Sequence, residues 1–565
     1  MRLVSGIASI LVLASLGTVR PSAAEDHTAA ATAATPEHSM ANMGGDGSTK
    51  LFDNLGSWHR TISTKSVDAQ KYFDQGLRQL YGFDMQGSER SFRKAAEADP
   101  KCAACWWGVA MSLGPHINVP ALPERTHGAY QAIQKARAIE GGASETERAL
   151  IEALAKRYRD PQPSDPKDEL AAETEYSDAM GALAKRVPND PDVVTLYAES
   201  MMDLQPWDYW NNDGTPKGKT ELIVATLEGV LKKYPDQPGA NHLYIHSVEA
   251  STHPERGLAA ADRLRSLVPG VGHMTHMPSH IYERTGRYDQ SAAANKKAIE
   301  YDNAYRQYTG SMDFFPMYSG HNVHFLGYTM MKQGRSMEAL EKSSHLKDLV
   351  PIAMLQMMPG YDIFLGEPDF FMVRFERWDD ILAAAPPPAE FPFLRGLRHW
   401  SRGMAFAGKG QLDLAAVEAE SVTAVQKSLP EDQTEGFNSA RGLLDIASQT
   451  LAGHMAGKKG DDNGAVTHFQ EAVKLEDALR YDEPPDWLPH TRWWLEPALI
   501  KAGRAADAEQ VCRDDLKIHP NNGWSLHGLA ASLRAQGKKA DADKAEASFK
   551  KAWPNSDVNL AASEH

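Results

Sequence analysis

Glycine, alanine, aromatic and proline residues recur along this chain at a fixed interval of 34 residues, and that period limits the fold more than any local motif. In a frame starting at Ala69, Phe73, Gly76, Phe92, Ala95 and Pro100 stand at positions 5, 8, 24, 27 and 32. A unit starting at Ala103 places Trp106 at position 4. Gly286, Tyr288 and Ala298 fit positions 15, 17 and 27 of a unit spanning 272–305, and the unit before it, 238–271, ends near Pro269. Further units fit from Gly320, Asp362, Gly396, Ile446, Pro489 and Gly523, with an irregular helical stretch from Glu145 to Leu204. No strand–helix–strand alternation appears. A chain of 565 residues exceeds what one ordinary core can organise, but an array escapes that limit because each unit buries its apolar side against its neighbours only.

The pattern is close to that of tetratricopeptide repeats, in which Ala or Gly lets two helices approach and Pro ends the second. It predicts an all-α solenoid, a superhelix of helix-turn-helix repeats with a concave inner face. In such arrays the first helix of each unit lines that face, and positions 2, 5, 9 and 12 share one side of it. Unit 238–271 has His242, His246 and Glu249 at positions 5, 9 and 12. Unit 272–305 has His273, His276, His280 and Glu283 at positions 2, 5, 9 and 12, and the unit from Gly320 has His321 and His324 at 2 and 5. Seven of nine slots at positions 2, 5 and 9 thus hold histidine. With 21 histidines in 565 residues, a chance draw of nine would hold fewer than one.

Imidazole is the commonest metal ligand, and one helical turn sets two on one side. His242-x3-His246 and His276-x3-His280 are therefore candidate clamps, with His273, His321 and His324 as further ligands. Glu249 and Glu283 could be ligands, general bases on metal-bound water, or partners that fix an imidazole tautomer. Seven imidazoles and two carboxylates exceed one tetrahedral shell, so two ions or one open site fit better than one closed site. Imidazole with carboxylate suits zinc, iron, copper, manganese or nickel. Copper is favoured because His38-Ser39-Met40-x2-Met43, with His27 upstream, sets thioether beside imidazole near the N-terminus. Zinc and iron remain open. The alternative is a metal-free groove that takes a peptide, a protein or a small molecule.

Arg2, the apolar run Leu3–Leu16 and Ser22-Ala23-Ala24 resemble an export signal cleaved after Ala24. The expected organisation is a signal peptide over 1–24, a flexible tail over 25–50, a helical repeat region over 51–237, histidine-bearing units over 238–353 and C-terminal units over 354–565. No transmembrane segment is expected after cleavage, and the protein is expected in the periplasm or outside the cell. A formal net charge of -15 argues against nucleic acid as a partner. Cys102-x2-Cys105 has no second pair and no following His. It is read first as helical packing, with an oxidised pair as the alternative. His116 is read as a loop residue that could reach the cluster from another coil. Trp207, Trp210, Phe314, Phe315 and Tyr318 fall in two stretches that break the frame, Gln205 to Thr220 and Gln307 to Ser319. They either lid the cleft or anchor their loops.

Several strings together resemble a group of bacterial exported tetratricopeptide-repeat proteins. They are Phe73-x2-Gly76-Leu77, Asp99-Pro100-x-Cys102 through Trp107-Gly108, Pro206-Trp207, Pro238-Gly239-Ala240-Asn241-His242-x3-His246-x2-Glu249, and His273-x2-His276-Met277-Pro278-x-His280-Ile281-Tyr282. The resemblance runs from about residue 50 to the C-terminus. It implies the repeat fold and export and names no reaction. Three functions follow as expectations: a metalloprotein with a His/Glu cluster, catalysing hydrolysis or oxidation; a scaffold for envelope proteins; or a copper-buffering protein.

Overall fold

The structure, a computed structural model, describes residues 49–163, 165–309, 315–358 and 360–560. Helical hairpins follow one another in chain order, as the 34-residue period requires. The first four are α1 (Val67–Tyr81) with α2 (Met85–Ala98), α3 (Ala103–Leu113) with α4 (Pro123–Ala138), α5 (Glu145–Leu154) with α6 (Pro166–Arg186), and α7 (Pro191–Met202) with α8 (Thr220–Lys233). The histidine-bearing units are α9 (Pro238–Val248) with α10 (Leu258–Leu267), then α11 (Gly272–His276), α12 (Pro278–Arg284) and α13 (Tyr288–Thr309), then α14 (Phe315–Lys332) with α15 (Ser336–Ser344). Short helices α16 (Leu346–Leu349) and α17 (Ile352–Met357) lead to α18 (Glu367–Arg374) and α19 (Trp378–Ala383). The array ends with α20 (Pro392–Gly408), α21 (Leu412–Ser428), α22 (Ala440–Lys458), α23 (Asp462–Asp477), α24 (Arg492–Lys501), α25 (Ala505–Ile518), α26 (Gly523–Ala535) and α27 (Lys539–Ala552). Among the described residues the strands are one two-residue pair, Thr434–Glu435 with Asn438–Ser439.

The repeat residues do the packing that the period implies. Phe92 of α2 fills the gap between α1 and α3. A Cβ at Gly76 would lie 2.9 Å from its ring and one at Gly108 only 2.4 Å. The irregular stretch from Glu145 to Leu204 resolves into α5, α6 and α7. Its start is set by a capping box, in which Ser144 receives the Glu147 N–H while the Glu147 side chain receives the Ser144 N–H.

The array closes on itself around the histidine units. On one side the first hairpin meets them. Asn54 O accepts from Gly270 N at 2.8 Å, and a Cβ at Gly239 would touch the Tyr81 ring at 2.4 Å. On the other side the C-terminal helices meet α14: Trp524 Nε1 donates to Met331 O at 3.0 Å and Trp553 Nε1 to Lys332 O at 2.8 Å. One apolar core runs from Leu55 to Tyr282 and a second from Ala292 to Leu560, so their boundary falls within the histidine units. The open concave groove expected from the repeat is therefore closed here, and six of the seven histidines are buried in it.

Two further expectations are corrected. Gln307–Thr309 completes α13 and Phe315–Ser319 begins α14, so the second frame break is shorter than expected. Phe314 lies outside the described residues. Cys102 and Cys105 are joined as a disulfide at the start of α3, where Cys102 Sγ also accepts from Cys105 N. The expected signal over 1–24 lies outside the described residues, as does the tail apart from Thr49 and Lys50, and with it His27, His38, Met40 and Met43. Among the described residues no helix is long and apolar enough to cross a membrane.

Gly108→Val is expected to push against Phe92 and cost about 1–3 kcal/mol, measured as a lower urea midpoint. Gly229→Ala, on α8 with nothing within 4 Å of its Cβ, serves as the control and is expected to raise the midpoint slightly. Equal midpoints for Gly108→Val and the parent would contradict this packing.

Candidate metal centre

Helix α9 starts at Pro238, a residue suited to a first turn because its missing N–H needs no partner there. One turn of α9 then places His242 and His246 on the same side. Helix α11 carries His273 and His276. Pro278, which has no N–H, parts α11 from α12, and α12 supplies His280. Helix α14 supplies His321. These six imidazoles converge as two triads, His242–His246–His273 and His276–His280–His321, the candidate ligand atoms of each lying within 4.8 Å of one another. In the first, His242 Nε2 is 3.1 Å from both His246 Nε2 and His273 Nε2. In the second, His276 Nε2 is 2.9 Å from His280 Nε2. Two metal–nitrogen bonds of ~2.0 Å at a tetrahedral angle set nitrogens about 3.3 Å apart, close to these separations.

The other ring nitrogens settle which atoms carry protons. His242 Nδ1 lies 2.6 Å from the Tyr81 carbonyl, which can only accept. His276 Nδ1 lies 2.6 Å from Asn295 Oδ1, and Asn295 Nδ2 donates to Ser291 O, which fixes the amide. Glu249 sits between the triads, with Oε1 3.3 Å from His246 Nδ1 and Oε2 2.6 Å from His280 Nδ1. His242, His246 and His276 thus donate from Nδ1 and turn a bare Nε2 toward their neighbours. Between His242 and His246 lone pair faces lone pair, which is repulsive unless a cation stands between. Protons do not supply that charge. Burial holds these rings neutral, with neighbouring imidazoles adding to it at all but His280: His242 and His280 are pushed down to about 3, His246 to about 4, and His273 and His276 well below the ordinary range. This donor set could hold a metal ion in each triad.

The two glutamates differ in role. Glu249 is 1% exposed and meets the Nδ1 side of the rings, where it accepts from His246 and lies beside His280. That is the tautomer-fixing role, and it does not place the carboxylate against water on an ion at Nε2. Glu283 is bound by Lys332 Nζ at 2.8 Å and by Thr329 Oγ1 at 3.2 Å, so a lysine occupies it rather than an imidazole. His324 joins neither triad. Its Nε2 is 3.6 Å from Glu367 Oε1, because position 5 of the unit from Gly320 points past the cluster toward α18.

Aromatic rings wall the triads. Phe83 touches His242, His246 and His273 with centroids 4.6, 6.2 and 5.6 Å away. Trp207 meets His246 edge-on at 5.0 Å, and Tyr318 meets His273 at 4.8 Å. Phe325 covers His276 and His280 at 5.2 and 4.8 Å. Phe83 (φ 57°) and Trp207 (φ 60°) both hold the left-handed backbone that side chains avoid, a strain that persists only where surroundings enforce it. Trp207 and Tyr318 therefore cover the site, while Trp210 anchors its loop by donating to Ser247 O. His116 reaches the cluster's edge, stacked on Phe83 at 4.2 Å, without entering a triad. Sequence reasoning missed Phe83, the Tyr81 carbonyl and Asn295. Asn295 had a signal: it stands at frame position 24, where the first unit has Phe92.

No family model matches this chain, and no curated protein matches it in sequence. Solved structures similar to it include a human IFIT1 dimer with m7Gppp-AAAA, at 14% identity over 84% of this chain and 95% of that one, with a TM-score of 0.33. The yeast Tom70 structure is similar at 10% identity over 84% and 90%, with a TM-score of 0.28. The TPR domain of P58(IPK) is similar at 11% identity over 84% and 99%, with a TM-score of 0.23. At these levels the chemistry of the site rests on its own geometry.

Asn295→Leu removes the acceptor that orients His276. It is expected to weaken metal binding at the second triad about 10- to 100-fold, read by competition with a chelator, while the first triad is unaffected. Unchanged affinity at both would show that Asn295 does not set the tautomer.

Proposed function

We propose that this protein is an exported metalloprotein that binds two transition-metal ions, one in each histidine triad. The bare Nε2 atoms of His242 and His246, facing one another across 3.1 Å in a buried site, support this reading most directly, together with His273 Nε2 at 3.1 Å from His242 and His280 Nε2 at 2.9 Å from His276. Three protein ligands per ion leave a coordination position open, the arrangement of catalytic rather than structural sites. Rings from different triads approach to 6.0 Å (His273 and His276) and 6.3 Å (His246 and His280), so the ions would be neighbours. Imidazole donors suit copper, zinc and iron alike; copper is the favoured metal because His38-Ser39-Met40-x2-Met43 sets thioether beside imidazole, and zinc and iron are the alternatives. Catalysis would be oxidative or hydrolytic at the open positions, with Glu249 holding ligands in place. Deep burial speaks against a buffering role, which needs quick exchange.

Protein purified without an affinity tag and reconstituted with copper(II) or zinc(II) is expected to hold two ions per chain by elemental analysis. His242→Ala and His276→Ala are each expected to leave one, with helical content kept in circular dichroism. No retained metal in the parent, or two ions in either variant, would overturn the proposal.

A further inference from the structure

A cleft of about 700 Å³, counting its mouth, opens beside the first triad and has His273 in its wall. It lies between the turn joining α1 to α2, the segment after α3, and the start of α11. Its inner surface is largely apolar and aromatic, formed by Phe83, Met85, Val119, Val271 and Tyr318 with the His116 ring. Phe83 belongs to both places: it lines the cleft and touches all three rings of the triad. A flat ligand in the cleft would therefore meet His273 directly and face His242 and His246 across the Phe83 ring.

Three charged side chains, Asp84, Asp302 and Arg125, break the apolar wall. Asp84 is taken up by Gly87 N and Gln79 Nε2 at 3.0 and 2.9 Å. Asn322 Nδ2 and Ser319 Oγ donate to Oδ2 of Asp302 at 2.7 and 3.3 Å, and its Oδ1 packs against Gly272, which also lines the cleft. Arg125 also lines the cleft, held by an Nη2 donation to Ser112 O at 2.6 Å. With Asp84 and Asp302 disfavouring an anion and Arg125 disfavouring a cation, the wall favours a neutral group that can both donate and accept. A hydroxyl does both, and the ring faces of Phe83, His116 and Tyr318 suit an aromatic body.

We propose that this cleft is the substrate site of the metal centre and takes a small neutral phenol. The role as a substrate site rests on the metal reading above, while phenol binding itself does not. Calorimetry with phenol, benzoate, benzylamine and cyclohexanol on metal-free full-length protein tests the binding. Phenol is expected to bind at least about tenfold more tightly than the other three. Met85→Trp, at a half-buried wall position, and Val119→Phe are each expected to weaken phenol about tenfold. Neither touches a triad, so both should keep the parent's metal content. Cobalt(II)-loaded protein is then expected to broaden the phenol proton resonances, and zinc(II)-loaded protein is not. Failure of phenol to bind, equal binding of the other probes, or no effect of either variant would overturn the proposed ligand. Bound phenol without cobalt broadening in a metal-loaded protein would overturn its role as substrate. A protein that takes up no metal overturns the metal centre instead, and the phenol isotherm still reads the cleft.

Discussion

Imidazole nitrogens with no proton between them, pressed together where water does not reach, are the constraint around which this molecule is arranged. A lone bare Nε2 would be unremarkable. Here the Tyr81 carbonyl, the Asn295 amide and the Glu249 carboxylate draw the ring protons of His242, His276 and His246 to the Nδ1 side, so bare nitrogens meet their neighbours. Surrounding walls of Phe83, Trp207 and Phe325 keep the medium poor in water. In such a medium an unpaired polar atom is costly, and a protonated ring costlier still. A divalent ion relieves the repulsion for a whole triad at once.

The repeat architecture makes this convergence available. A first helix presents one residue per turn to the interior, and consecutive units stack such helices side by side. Substituting histidine at those positions turns a packing face into a donor face without altering the hairpin. The superhelix then curls until the first hairpin and the last helices both reach the middle units. That closure brings Tyr81 and Phe83 about 160 residues back in the chain against His242, and it brings Trp524 and Trp553 against α14. Shielding and orientation thus come from segments far away in sequence, while the ligands come from neighbours.

This division explains what could be read in advance. His242, His246, His273, His276, His280 and His321 were legible because helical spacing and unit spacing are both local rules. So was the tautomer-fixing option for Glu249, one turn beyond His246. His324 obeyed the same frame yet faces Glu367, because the α14–α15 hairpin is followed by the short helices α16 and α17 and the regular stacking ends there. Glu283 matched Glu249 in position, but Lys332 from the next unit captures it, and nothing local announces a lysine at that place. Closure of the groove was not legible either. It depends on contacts such as Asn54 with Gly270 and Tyr81 with Gly239, whose partners carry no pattern of their own.

Anomalous diffraction from crystals of copper- or zinc-loaded protein, collected at the absorption edge of the metal, tests the central claim most directly. The account predicts two peaks, each ~2.0–2.2 Å from the Nε2 atoms of one triad, with Glu249 on the far side of His246 and His280. An edge scan showing no bound metal, or a peak seated on Glu283 or on Nδ1 atoms, would contradict it.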